Sequence, residues 1–232
     1  MRGDGPEDIR RAVVLSATDP DVQDSVADFA EVLPDSLLDD GVVEAVPIVG
    51  SVAKLARAGK RVHDAMFVRK LSHFLRAPSR LSDAERASFR AKMLGDPAFM
   101  DRVGDGVILL LERQEHFEKC HVLGCAFAAF EKGEVDYALF QDLATVIDRS
   151  TLSDLRYIAT LDPGGRIKDV TTGLGLVNVR AAKVSPQRAV SGVITTPNVH
   201  GGEATVFNGY VYQLNEAGEM LRALLQESEG AI

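Results

Sequence analysis

SDAERASFRAKMLGDPAFMDRVGDGVILLLERQEHFEKCHVLGCAFAAFEKG, residues 82–133, carries its own punctuation. Ser82 and Glu85 form a capping-box pair, in which the serine oxygen and the glutamate each satisfy a free N–H at the start of a helix that runs through Leu94. Asp96-Pro97 then opens a longer helical segment, because proline at the first position lacks only an N–H that has no partner there anyway. That segment is predicted to run to Phe130, with Gly133 ending it, and Val107, Leu110, Leu111, Phe117, Val122, Leu123, Phe127 and Phe130 give it a broad apolar face. Gly104 and Gly106 are expected to interrupt it near its start, since a glycine costs up to about 1 kcal/mol in a helix interior.

Outward from this block the pattern stays helical as far as Leu161. Toward the N-terminus Pro6 and Asp19-Pro20 each open a short helix, and Pro34 separates the piece DSLLDDGVVEAV. Toward the C-terminus an amphipathic helix spans Asp136 to Asp148, and Ser153 is placed to cap DLRYIATL. Beyond it the texture changes. Asp162-Pro163-Gly164-Gly165 reads as a turn, and VSGVITT (190–196) and ATVFNGYVYQL (204–214) read as strands of a hairpin before a last amphipathic helix. The expected fold is therefore mostly α: a multi-helix domain over residues 1–149, then a winged-helix-like α+β domain over 150–232.

The ending YVYQLNEAGEMLRALL (210–225) resembles the "Y-x-L-T-x-x-G-x-x-L" finish of winged-helix proteins, with Asn215 where threonine is usual. The resemblance implies that the last strand runs straight into a closing helix. Upstream, Asp35-Ser36-Leu37-Leu38-Asp39-Asp40-Gly41, Pro47-Ile48-Val49-Gly50, Met66-Phe67-Val68-Arg69-Lys70-Leu71 and Phe74-Leu75 look similar to a family of uncharacterised bacterial helical proteins. That family implies a bacterial cytosolic protein and no known activity.

Charge is segregated along the chain. Residues 1–50 carry a net −9, residues 51–94 a net +8 and residues 95–232 a net −7. Such segregation speaks of partners rather than of fold. Its cationic part begins in PIVGSVAKLARAGKRVHDAMFVRKLSHFL (47–75). At roughly 100° per residue, Ile48, Val49, Val52, Leu55, Ala56, Gly59, Val62, Met66 and Phe67 fall within an arc of about 140°, opposite Lys54, Arg57, Lys60, Arg61 and Asp64. The phase breaks at Arg69-Lys70. Lys54, Arg57, Lys60 and Arg61 are thus candidate ligands for an anionic partner: the acidic N-terminal arm of the same chain, an anionic membrane surface, or a phosphate backbone. In the winged-helix-like part Lys168, Arg180, Lys183 and Arg188 are the candidates for DNA or protein contact.

With 46% hydrophobic and 26% charged residues, the composition is that of an ordinary globular protein. The acidic start lacks the apolar core of a signal peptide, and no window offers eighteen uninterrupted apolar residues, so a cytoplasmic chain is expected. Cys120 and Cys125, five apart on a helix, point in different directions and are not expected to pair.

Glu112, His116 and Cys120, spaced by four, would share one helix face and could offer metal ligands. The His-Glu-x-x-His of zinc proteases does not occur, however. A calcium loop around Gly133 puts Ala128, Phe130 and Lys132 where oxygen donors are required. Gly173-Leu-Gly175 lacks the third glycine of a dinucleotide fingerprint. No catalytic residue, metal, cofactor or small-molecule substrate is expected. The expected role is a non-enzymatic binding or regulatory protein with a protein partner or a second copy of itself. A DNA-binding regulator and a peripheral membrane effector are the alternatives.

Overall fold

The structure, a computed structural model, describes residues 6–17, 62–77, 81–167, 170–186 and 210–227. Within them the helices are α1 (Pro6–Ala17), α2 (Val62–Leu75), α3 (Asp83–Gly95), α4 (Pro97–Arg113), α5 (Phe117–Lys132), α6 (Tyr137–Arg149), α7 (Leu152–Ala159), α8 (Val170–Asn178) and α9 (Glu216–Glu227). The strands are β1 (Arg166–Ile167), β2 (Ala182–Pro186) and β3 (Tyr210–Leu214), an antiparallel sheet in the order β1-β3-β2.

Local chemistry sets most helix ends. Ser82 and Glu85 close the capping box at the start of α3, with the Ser82 N–H donating to Glu85 Oε2 at 2.7 Å. The Asp96 and Asp136 carboxylates accept from Phe99 N and Leu139 N and so cap α4 and α6. At α7 the cap is Thr151, two residues before the expected Ser153, because Asp154 reaches back to the Thr151 N–H at 2.8 Å. Gly133, at φ 78, closes α5, with its own N–H donating to Phe130 O and the Glu134 N–H to Ala129 O.

Two expectations for the long central segment fail. The glycines do not interrupt α4, which runs through both. Gly104 instead lets α1 lie close, since a Cβ there would come within 2.6 Å of the Arg10 carbonyl oxygen. The helix does break, at Gln114–His116, where Gln114 takes an extended conformation and its side-chain amide donates to Leu110 O and to Asp148 Oδ1 of α6.

α5 is the centre of the molecule. Twelve of its sixteen residues are buried, Lys119 and Glu131 among them, which is more than the broad apolar face read from the sequence. α2, α3, α6 and α9 pack around it. Phe127 and Phe130 of α5 meet Phe74, Phe89 and Phe140 at ring-centroid distances of 5.4–6.1 Å. The core face of α2 is Leu71, Phe74 and Leu75, with Phe67 partly covered; Met66, expected on that face, is 39% exposed.

In the C-terminal part β3 pairs with Ala182–Pro186 on one side and with Arg166–Ile167 on the other. The expected hairpin partner, residues 190–196, lies outside the described residues. β3 runs directly into α9 through Asn215, whose Oδ1 accepts from Gly218 N at 2.9 Å. α9 then packs against α5, α6 and α7, so that one buried cluster extends from Val13 to Leu225.

Candidate functional site

Of the cations singled out in the sequence, Lys54, Arg57, Lys60, Arg61, Lys168 and Arg188 lie outside the described residues. Arg180 and Lys183 lie within them and are exposed. Strand alternation and register put Ala182 and Val184 on the same sheet face as Ile167, Tyr212 and Leu214, most of which are buried. Lys183 therefore stands on the opposite, outer face in a row with Gln213 and Arg166.

Arg180 is held differently. It occupies the left-handed region at φ 68, where it ends α8: its N–H donates to Val177 O and the next N–H, of Ala181, to Leu176 O. Its carbonyl accepts from Asn215 Nδ2 at 2.6 Å, and its guanidinium pairs with Asp142 of α6 at 3.3 Å. Arg180 thus ties the sheet to the helices. α8 itself, VTTGLGLVN, carries no Lys or Arg, and its Gly173 is the seat of the Tyr212 ring rather than part of a phosphate loop.

The Glu112, His116 and Cys120 series is taken apart by the break between α4 and α5. Glu112 stays on α4, His116 precedes α5, and Cys120 turns into the core, where burial pushes its thiol up to about 11. Among the described residues no group of three or more His, Cys, Asp or Glu is placed to hold a metal ion.

A different group is assembled where α2 meets the start of α5. Arg69, His73 and Arg76, spaced by four and three, lie on one side of α2. The Phe117 ring stacks on the His73 imidazole, with centroids 4.9 Å apart and planes 15° apart, and the Arg69 guanidinium lies 4.6 Å from the same ring's centroid. Beside them Lys70 Nζ donates to the Glu112 carbonyl of α4 at 2.9 Å.

Both imidazoles of this face are held below their ordinary range. For His73 the cause is burial first, then the Arg76 and Arg69 guanidinium groups and His121, with Glu118 opposing. For His121 it is burial first, then a hydrogen bond with the His73 backbone acting the other way, then Arg76. Arg10, Arg11, Arg113, Arg180 and Arg222 all sit in ion pairs with carboxylates. Among the described residues Arg69 and Arg76 form none, like Arg90, Arg102, Arg149, Arg156 and Arg166, but only these two flank a histidine on one helix side.

Sequence reasoning missed this cluster as a site. The spacing of residues 69, 73 and 76 is a readable signal for its α2 half, but nothing local marks Phe117 and His121 as its other half. No helix among the described residues is long and apolar enough to cross a membrane. No family model matches the chain, and neither does any curated protein or solved structure.

Proposed function

We propose that this chain is a non-enzymatic binding or regulatory protein of the bacterial cytosol that engages an anionic partner through its cationic ribbon, from Lys54, Arg57, Lys60 and Arg61 into α2. One observation carries this reading: Arg69 and Arg76 face solvent without a carboxylate partner among the described residues, while the apolar side of the same helix is taken up by α5. With Leu71, Phe74 and Leu75 buried, this half of the ribbon has no oily face to insert into lipid, so its contact with a partner is ionic. The order α7, α8, β2–β3, α9 supports a winged-helix-like C-terminal part, whose outer sheet row of Arg166 and Lys183 adds a second cationic face. The pairing of Arg180 with Asp142 and the lack of cations on α8 weigh against base reading in duplex DNA.

The test is binding of the full chain to labelled inorganic polyphosphate and to duplex DNA, at low salt and at about 0.15 M salt. Binding is expected at low salt, weakening severalfold as salt rises, and weakening again in the Arg69→Gln/Arg76→Gln variant. A wild-type chain that binds neither polyanion at low salt would overturn the proposal.

A further inference from the structure

We infer that anion binding at the α2–α5 face is coupled to proton uptake by His73 and His121, so that mild acid strengthens it; this rests on the reading of that face as anion-binding. His73 lies between two guanidinium groups of its own helix, Arg69 on one side and Arg76 on the other. From α5 it is met by His121, by the Glu118 carboxylate and by the Phe117 ring, and α4 contributes the Glu112 carbonyl that holds Lys70. One acid among these groups, Glu118, stands against two guanidinium groups and a second imidazole. A proton on His73 is therefore opposed by like charge in the free protein.

An anion seated between Arg69 and Arg76 removes that opposition. By reciprocity, whatever the anion does for the proton, the proton does for the anion. The stacking of His73 on Phe117 works in the same direction, because an aromatic face attracts an imidazolium more than a neutral ring. His121, whose imidazole meets the His73 backbone, brings a second titrating group under the influence of Arg76. Both imidazoles are only partly buried, so a proton and a phosphate group can reach them from solvent. In the free protein both titrate below the ordinary imidazole range, and bound anion brings them back toward it.

The experiment uses the full chain and labelled long-chain inorganic polyphosphate, whose internal groups keep one charge each throughout. Anisotropy is followed at constant ionic strength between about pH 7.5 and about pH 5.5. Affinity is expected to rise about fivefold for each proton taken up, the effect of one added charge near an anion in a watery site. The His73→Gln/His121→Gln variant loses this gain, whereas His116→Gln, altered just outside the cluster, keeps it. If the double variant does not fold by circular dichroism, Arg76→Gln serves instead: it binds more weakly at the upper pH, and its pH midpoint moves upward. A proton-NMR titration is expected to show the His73 midpoint rising when polyphosphate is added.

Wild-type binding that is flat across the range overturns the inference and leaves the anion-binding face standing. So does a pH response that survives loss of both histidines. No binding at any pH removes the anion-binding face itself.

Discussion

Glu131, in the last turn of α5, is 5% exposed, and its Oε1 has no hydrogen-bond partner. Burial pushes its carboxyl up to about 8, with the Arg86 guanidinium acting in the opposite direction. Arg86 Nε and Nη1 are themselves buried without hydrogen bonds, so the two groups face each other without closing a bridge. A carboxyl whose folded value lies above its unfolded value takes up a proton on folding. Stability from this group is therefore fullest below about pH 4.5 and is lost as pH rises toward about 8. Glu131→Gln is expected to be more stable than the wild type by on the order of 2 kcal/mol near pH 8, with the gap closing near pH 4.5, in urea unfolding at the two pH values. Equal stability at the higher pH would place a neutralising partner beside Glu131. Nothing in the local pattern marks this residue. A glutamate followed by Lys132-Gly133 at a helix end reads as a solvated group, and only the packing of α2 and α3 on α5 buries it. The Ser82–Glu85 pair was legible because both its partners lie within one turn.

The break between α4 and α5 shows the same division one level up. Periodicity carried a single helix to Phe130, and the helix is cut at Gln114 by a carboxylate that arrives from α6. Asp148 accepts from the Gln114 amide at 3.2 Å and pairs with Arg113 at 2.6 Å, while its own carbonyl accepts from Lys119 Nζ at 2.9 Å. Lys119, a residue only 7% exposed, thereby brings its ammonium to cap the C-terminal end of α6. Asp148→Ala leaves the buried Gln114 amide short of a partner and is expected to cost about 2 kcal/mol in thermal or urea unfolding. A loss below about 0.5 kcal/mol would mean that the break is held by chain geometry alone. Strand pairing was read only in part for a related reason: the expected strand 190–196 lies outside the described residues, and 182–186 was not singled out as a strand. A strand's own composition says that it will pair, but not with which partner, and residues 182–186 showed too little β-branched character to be chosen beside β3.

For the whole molecule, the closing helix matters most. α9 buries Leu221, Leu224 and Leu225 against helices of the N-terminal part, and Gln226 Nε2 donates to Ala159 O and Leu161 O. Because the buried cluster is continuous from Val13 to Leu225, a single cooperative unfolding transition is expected, coincident by helical circular dichroism and by tyrosine fluorescence. Two separated transitions would show the C-terminal part melting on its own. By itself the sequence determined where most helices begin, that the segment containing α5 has a broad apolar face, and that cations crowd the stretch entering α2. Caps, turns and periodic faces depend on groups a few residues apart, so they can be read along the chain. Tertiary structure alone decided the break at Gln114, the burial of Glu131, the pairing of β3 with β1 and the union of Arg69, His73 and Arg76 with Phe117 and His121. Each of these joins groups remote in sequence, and only the folded packing brings them within reach of one another.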